Sequence, residues 1–421
     1  MTIRSGKMMI GGIGLHEQQL LIAVLILLLV FCLLAGGALA LPAARRWIGR
    51  RTIGAFSDAA SWRGAMERKA AALLHHMPVF PEEDMPAFFF TLERNGVDHE
   101  KMLRRRAAKL LLAAGLYADR NPALFDAGRE YIASLLTQNG EWKIPLEHTD
   151  DALLAYAVLS FPGTDLYLVR PAMEQTARLL QSLAGEGDTI PSDSRNPDIR
   201  LAQTVGDVCP FLSAYAAAYG EPFYLNLAMR QINEYLLNGM HPVQGLPAQG
   251  FDRNSGLPIG AFGWSGACAA VAFGMMETYR HLPREDARRV KLSIHSRLFA
   301  DRLCVLWGND GSFPRLPSSS LLDTEASAVL AVFLWDAYHK TQDEKYLNCV
   351  RRTMENLRMR TRKNGLVDFA QPESLRPGFY WDTEVPTAGA LAAALFAVAK
   401  IEGEKEGPIR MNGGPLEESM K

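Results

Sequence analysis

Two kinds of helical segment alternate along residues 55–401, and this alternation restricts the fold more than any other feature of the chain. One kind is small and apolar around most of its circumference, as in LSAYAAAY, GACAAVAFGMM and AGALAAALFAVA. Helices of that composition are buried on all sides, whereas amphipathic helices keep one face in solvent. The six apolar segments are 107–118, 151–161, 207–219, 264–279, 324–338 and 385–399. The sequence therefore predicts an inner layer of helices covered by an outer one.

The amphipathic segments that follow the apolar ones resemble each other. Tyr-Leu-Asn occurs at 224–226 and again at 346–348, each time followed by an arginine-bearing polar face. A recurring helical pair indicates a repeat architecture, and residues 58–76 supply the sixth outer helix. Alternating inner and outer helices predict an all-α fold, an (α/α)6 barrel or six-hairpin toroid. The alternative, an open solenoid, would need polar caps and a more regular period.

The connections of this barrel differ in length according to direction. Inner-to-outer connections are short, whereas outer-to-inner connections are long and emerge together at one end of the ring. Long loops in a compact domain are usually functional or disordered. The long loops are approximately 138–149, 184–206, 238–263, 305–322 and 362–383. We therefore expect the functional site at the mouth that they surround.

Carboxylates recur where a long loop meets an inner helix, and tryptophans accompany them. Each Asp alone is explained by helix capping, and each Trp alone by core packing. Together they suit a carbohydrate, because rings stack on sugar faces while carboxylates supply acid and base. The carboxylates are Asp150, Asp151, Asp207, Asp323, Glu325, Asp382 and Glu384, and the rings are Trp142, Trp264, Trp307 and Trp381.

Composition excludes several other classes of protein. The chain of 421 residues has 45 Lys and Arg against 46 Asp and Glu, so it is not a generally basic nucleic-acid binder. Its 5 cysteines include no CxxC pair and no Cys/His cluster, which argues against a disulfide framework and a structural zinc site. No phosphate loop or dinucleotide fingerprint is present. We expect no metal and no cofactor.

The N-terminal region predicts a membrane anchor at 20–44, after a short segment 1–19. Residues 20–34 are unbroken LLIAVLILLLVFCLL, and a spanning helix needs about 20 residues. Four arginines between 45 and 51 place the globular part in the cytoplasm by the positive-inside rule. The alternative is a signal peptide cleaved after Ala40, which would export the domain. The tail 402–421 is predicted to be disordered.

Four segments in order resemble glycoside hydrolase families 88 and 105, the unsaturated glucuronyl and rhamnogalacturonyl hydrolases. The resemblance spans approximately residues 100–400. The segments are GDVCPFLSAYAAAYGEPFYLNLAMRQI (206–232), GLPAQGFD (245–252), AFGWSGACAAVAFGMMETYRHLP (261–283) and DTEASAVLAVFL (323–334). The first is similar to the helix that carries the catalytic Asp of these families.

The resemblance implies a mechanism and a set of residues. Substrates of these families end in a 4,5-unsaturated uronic acid; an Asp protonates C4, water adds at C5, and the hemiketal collapses. Asp207 matches the catalytic Asp, and the second essential Asp matches Asp151, with Asp150 one step away. Expected substrate-binding residues are Trp264, Gln249, Asp252, Trp142, Asp323 and Trp381, with Arg200 or Arg315 for the substrate carboxylate.

Two departures from the family pattern keep a second function open. Gln249 stands where the families have His, and Pro258–Ile259 begins a segment that lacks the families' Arg and first Trp. We expect a membrane-anchored hydrolase of uronic-acid-ended saccharide fragments. The alternative is a non-catalytic saccharide-binding or polysaccharide-assembly protein on the same barrel. A sugar epimerase is disfavoured because the inner helices lack a pair of opposed histidines.

Overall fold

The structure is a computed structural model. It describes residues 15–77, 99–184, 189–308, 310–372, 377–378, 380 and 383–403. The described residues divide into two compact units, one ending at residue 48 and the other beginning at residue 49. The second unit holds the helical ring.

Thirteen α-helices form in the described part of the chain. In order they are α1 (Leu15–Arg50), α2 (Ala59–His75), α3 (His99–Gly115), α4 (Pro122–Leu135), α5 (Ala152–Ser160), α6 (Arg170–Ala184), α7 (Ala202–Tyr219), α8 (Pro222–Asn238), α9 (Ser265–His281), α10 (Arg288–Leu306), α11 (Thr324–Thr341), α12 (Glu344–Met359) and α13 (Ala388–Gly403). A short 3₁₀ turn, Thr149–Asp151, precedes α5.

The odd-numbered helices from α3 to α13 close into a ring. Each packs on the next along the series, and α13 packs on α3. The even-numbered helices α4 to α12 each pack on the inner helix that precedes them, and α2 packs on α13. The predicted (α/α)6 architecture is confirmed, including the sixth outer helix. Asp58 starts α2 with a capping box, because its side chain accepts a hydrogen bond from the Ser61 N–H.

Small residues set the spacing between inner helices. A Cβ added at Gly206 of α7 would lie 2.9 Å from the carbonyl oxygen of Ala270 in α9. One added at Gly274 of α9 would lie 2.6 Å from the carbonyl oxygen of Val205. The two backbones are therefore too close for any larger residue, which explains the Ala- and Gly-rich composition that identified these helices as buried.

Three aromatic rings cross the interior of the ring at mid-height. Phe273 of α9 contacts Tyr156 of α5, with centroids 6.3 Å apart, and Phe396 of α13, with centroids 6.2 Å apart. Neither α5 nor α13 is a neighbour of α9 in the ring, so these contacts span its axis. They divide the interior into a half near the helix N-termini, where the long loops arrive, and a half near the C-termini.

The long loops also contain a small antiparallel sheet that the sequence did not predict. Its strands are β1 (Ile199–Leu201), β2 (Gly250–Asp252) and β3 (Pro258–Ile259), in the order β1-β2-β3. Arg200 pairs with Phe251, which ties the loop before α7 to the loop before α9. Strands of two or three residues are too short to show the alternation by which strands are recognised.

The predicted N-terminal span is not confirmed. Residues 20–44 lie within α1, a helix of 36 residues. Among the residues that the structure describes, no helix combines the length and the apolar character needed to cross a membrane. Most of segment 1–19, and tail residues 404–421, lie outside the described residues.

Candidate functional site

Three ion pairs connect α3 to carboxylates carried by three other inner-helix segments. They are Arg104 Nη1 with Asp151 Oδ2 at 3.0 Å, Arg105 Nη2 with Asp207 at 3.2 Å, and Lys109 Nζ with Glu325 Oε1 at 2.6 Å. Asp151 directly precedes α5, Asp207 lies in the second turn of α7, and Glu325 lies in the first turn of α11. All three acids thus lie at the N-terminal ends of inner helices, where negative charge is favoured by the helix dipole.

Asp207 is not a helix cap, contrary to the alternative that its expected position allowed. The sequence placed the start of the third inner helix at Asp207, but α7 begins at Ala202, so Asp207 lies inside the helix. Its side chain is buried, and both carboxylate oxygens lie 3.2 Å from Nη2 of Arg105. Because α5 lies between α3 and α7 in the ring, Arg105 reaches past the start of α5 to make this contact.

Asp151 has two carboxylate oxygens in different environments. Oδ2 accepts hydrogen bonds from the backbone N–H groups of Glu147 and His148, at 3.1 and 3.0 Å, and from Arg104. Oδ1 is buried and has no hydrogen-bond partner. Burial is the largest influence on this carboxyl and raises its pKa above the ordinary value, against the hydrogen bonds and Arg104. A proton on Oδ1 is compatible with every contact that Oδ2 makes.

The same geometry separates Asp151 from Asp150. Both lie in the 3₁₀ turn before α5, but Asp151 makes the ion pair with α3 and is 2% exposed, whereas Asp150 is half-buried. Asp151 is therefore the more deeply buried of the two.

Asp323 caps α11 and is bound to the neighbouring inner helix. Its Oδ1 accepts a hydrogen bond from the Ala326 N–H at 3.2 Å, and its Oδ2 accepts one from the Ser265 hydroxyl at 2.6 Å. Burial raises the pKa of Asp323 to about 6. For this residue the capping alternative holds, and its position at the start of α11 is the expected one.

Trp264 and Gln249 join two of the long loops. The Trp264 ring lies 5.7 Å from the Tyr380 ring, and its Nε1–H donates to Gln371 Oε1 at 2.8 Å. Gln249 is buried, and its Oε1 accepts a hydrogen bond from the Gly378 N–H at 2.6 Å. The loop before α9 is thereby attached to the loop before α13. Trp381 and Asp382 lie outside the described residues.

Four of the expected substrate-binding residues form hydrogen bonds within the outer helices and the long loops. Trp142 is buried and donates from Nε1 to the Ala172 carbonyl, 2.9 Å away, so it packs on α6. Arg200 is 2% exposed and donates to the backbone oxygens of residues 189 and 197. Arg315 donates to the Thr383 carbonyl at 2.8 Å. Asp252 accepts hydrogen bonds from the Ser255 N–H and hydroxyl, and these lower its pKa.

The sequence analysis did not predict that basic residues of α3 contribute to the site. The apolar pattern placed the start of the first inner helix at residue 107, so the run Arg104-Arg105-Arg106 fell outside it. The available signal was three consecutive arginines at the N-terminal edge of a helix predicted to be buried. In the described part of the chain, no group of three or more His, Cys, Asp or Glu side chains is placed to hold a metal ion.

Comparison with known proteins shows the fold. No protein-family model matches the chain, and no curated protein sequence matches it. A possible member of the GH105 family from Klebsiella pneumoniae is similar, with a TM-score of 0.65 and 12% identity over 82% of this chain and 94% of that one. An unsaturated glucuronyl hydrolase specific for heparin gives a TM-score of 0.62 and 13% identity over 83% and 99%.

The resemblance to families 88 and 105 is confirmed at the level of structure. The similar structures also include a cellobiose 2-epimerase from Bacillus thermoamylovorans, with a TM-score of 0.54 and 13% identity over 70% of this chain and 87% of that one. Hydrolases and an epimerase therefore share this architecture, and a shared fold does not select a reaction. The chain has the (α/α)6 fold of the unsaturated uronyl hydrolases, at low sequence identity.

Proposed function

We propose that this chain hydrolyses saccharide fragments that end in an unsaturated uronic acid, with Asp151 and Asp207 performing the chemistry. The observation that carries the proposal is that two consecutive arginines of α3 each bind one of these carboxylates. The two acids lie at the starts of neighbouring inner helices, at the end of the ring where the long loops arrive. The heparin-specific unsaturated glucuronyl hydrolase has a similar structure and supports the substrate class.

The contacts favour catalytic roles for Asp151 and Asp207 that differ from those that the resemblance implied. The resemblance gave the proton-donating role to Asp207, but both carboxylate oxygens of Asp207 contact Arg105. Asp151 has a raised pKa and an unbonded oxygen, so it is the better proton donor. In the proposed reaction Asp151 delivers its proton to C4 of the alkene. Asp207 accepts a proton from the water whose oxygen bonds to C5, and the resulting hemiketal opens to release the next sugar.

A screen of lyase-generated oligosaccharides tests this function. Each fragment has a conjugated alkene, so hydration at C4 and C5 is followed as loss of its ultraviolet absorbance. We expect at least one class of unsaturated uronide to be consumed, while its chemically saturated counterpart is left intact. If no unsaturated fragment is consumed but acidic oligosaccharides bind, the hydrolase proposal is wrong.

That outcome would favour the second candidate, a non-catalytic saccharide-binding or polysaccharide-assembly protein. One observation favours it specifically: Asp151, Asp207 and Glu325 are all engaged in ion pairs with α3. Carboxylates that are held in ion pairs can line a polar saccharide-binding surface without taking part in acid–base chemistry. Equilibrium binding of an unsaturated fragment with unchanged alkene absorbance over hours would identify this candidate.

We further propose that residues 20–44 hold the chain at a membrane, with the helical ring on the cytoplasmic side. The side chains from Leu20 to Leu34 support this, because those described as large and apolar are about half or more exposed. Apolar surface of that extent usually marks a membrane or protein contact. The test is N-terminal sequencing of protein extracted from washed membranes. We expect the chain to begin near Met1, and an N-terminus at Leu41 would show cleavage and export instead.

A further inference from the structure

Arg106 is one of four cationic residues of α3 whose side chains the structure describes, and its environment differs from that of the other three. It is 3% exposed, and both Nη1 and Nη2 are buried without a hydrogen-bond acceptor. Arg104, Arg105 and Lys109 each contact a carboxylate instead. Of these four described side chains, three contact a carboxylate of the protein and Arg106 does not.

An unmatched buried guanidinium is unfavourable in a folded protein. Arginine does not lose its proton under any ordinary condition, so it cannot escape the cost of burial by becoming neutral. Buried charges are for this reason nearly always paired. A guanidinium that is kept charged, buried and without an acceptor is suited to an anion that the protein does not itself supply.

Helix geometry places Arg106 beside the start of α13. Arg104 contacts Asp151, which precedes α5, and Arg106 lies about 200° further round α3, on the side of its other ring neighbour, α13. Arg106 is in the N-terminal half of α3, and the inner helices run in the same direction, so it lies toward the end of α13 that begins at Ala388. The N–H groups at a helix start also favour an anion.

A second unmatched donor lies on the chain segment that leads to α13. Gln371 is 7% exposed, and its Nε2 is buried without an acceptor. Its orientation is fixed because Oε1 accepts the hydrogen bond from Trp264. Ala370, the preceding residue, pairs through two backbone hydrogen bonds of 3.0 Å with Val385, which is three residues before α13. Arg106 and Gln371 thus both border the start of this helix.

We propose that Arg106 and Gln371 form a binding site for the carboxylate of an acidic sugar, on the α13 side of the ring mouth. The parallel N–H groups of Nη1 and Nη2 match the two oxygens of a carboxylate. This site supplies the anion-binding arginine that the sequence sought in Arg200 and Arg315, both of which donate to backbone carbonyls. The inference rests on the proposed function for the identity of the sugar.

The test compares Arg106→Met with the wild-type protein in calorimetric titrations with glucuronate, galacturonate, methyl glucoside and sulfate. Loss of a charge-assisted pair of hydrogen bonds predicts uronate binding weaker by about 10- to 100-fold. Affinity for the neutral glucoside should not change. Uronate affinity that is unaltered in Arg106→Met overturns the proposal, as does wild-type protein that binds sulfate as tightly as uronate or binds no uronate.

Thermal unfolding without ligand gives an independent readout, with Arg200→Met as the matched control. Arg200 is equally buried, but its guanidinium is hydrogen-bonded within its own loop. Removing an unmatched charge predicts an unchanged or higher Tm for Arg106→Met, whereas Arg200→Met should lower the Tm. An equal loss of Tm in both variants would show that Arg106 has a partner within the protein and would overturn the proposal.

These measurements are separable from the test of hydrolysis because saturated uronates cannot react. If uronate binding depends on Arg106 but no alkene is consumed, the binding site stands and the hydrolase proposal fails. If alkene is consumed equally well by Arg106→Met, the hydrolase proposal stands and this site is wrong.

Discussion

Replacement of Asp323 by Asn should remove a large pH dependence from the stability of the ring. Burial raises the pKa of Asp323 from an ordinary value of 3.8 to about 6 in the folded protein. The pKa difference of about 2 corresponds to about 3 kcal/mol. An acid whose pKa is raised by folding stabilises the folded state below its unfolded pKa, and that stabilisation is lost as the pH rises through the folded pKa.

The Asn side chain preserves both hydrogen bonds of Asp323. Its Oδ1 still accepts from the Ala326 N–H, and its Nδ2 donates to the Ser265 oxygen in place of the hydrogen bond that Ser265 donates now. The variant therefore differs from the wild type mainly in having no ionisable group at position 323. The free energy of unfolding of Asp323→Asn, minus that of the wild type, should increase by about 2 kcal/mol between about pH 4 and pH 7.

Urea unfolding followed by circular dichroism at several pH values measures this difference. Subtraction of the two curves cancels every other titrating group. Asp252→Asn is the control, because the turn around Asp252 lowers its pKa, so its difference curve should be nearly flat from pH 4 to pH 7 and change, with the opposite sign, only at lower pH. A difference between Asp323→Asn and the wild type that is constant from pH 4 to pH 7 would refute the reasoning.

Three further predictions concern other parts of the ring. Cys349 is half-buried, and its hydrogen bond with Cys304, at 3.7 Å between the sulfur atoms, lowers its pKa, so alkylation near neutral pH followed by peptide mass spectrometry should label Cys349 well before the buried Cys209. Equal labelling would contradict this. A Cβ at Gly274 would lie 2.6 Å from the backbone carbonyl oxygen of Val205, so Gly274→Ala should lower the unfolding free energy by about 1–3 kcal/mol, as denaturant unfolding would show. Trp142→Phe should cost about 1–2 kcal/mol of stability through its lost hydrogen bonds yet leave uronate affinity in calorimetry unchanged.

The ring was predictable because it depends on composition averaged over whole helices. Segments such as 385–399 are so uniformly small and apolar that no face remains for solvent, and only an inner layer accommodates them. The alternation with amphipathic helices then fixed the hairpin count. The lengths of the connections fixed the end of the ring at which the carboxylates lie.

The site was less predictable because it depends on single helix boundaries and single partners. An error of five residues in the start of α7 made Asp207 a possible cap, although it lies in the second turn. A later start for α3 left Arg104, Arg105 and Arg106 out of the barrel. Nothing in the sequence indicated which arginine would donate hydrogen bonds to backbone carbonyls, as Arg200 does, and which would have no hydrogen-bond acceptor.

The most direct test of the account is the alkene absorbance assay on three neighbouring variants, with folding of each checked by circular dichroism. Asp151→Asn and Asp207→Asn keep the size of the side chain but remove the proton donor and the base, so each should lose about 10²–10⁴-fold in turnover. Asp150→Asn, adjacent to Asp151 but at a less buried position, should keep turnover close to that of the wild type. Wild-type turnover in both Asp151→Asn and Asp207→Asn would contradict the claim that the carboxylates bound by α3 perform the chemistry.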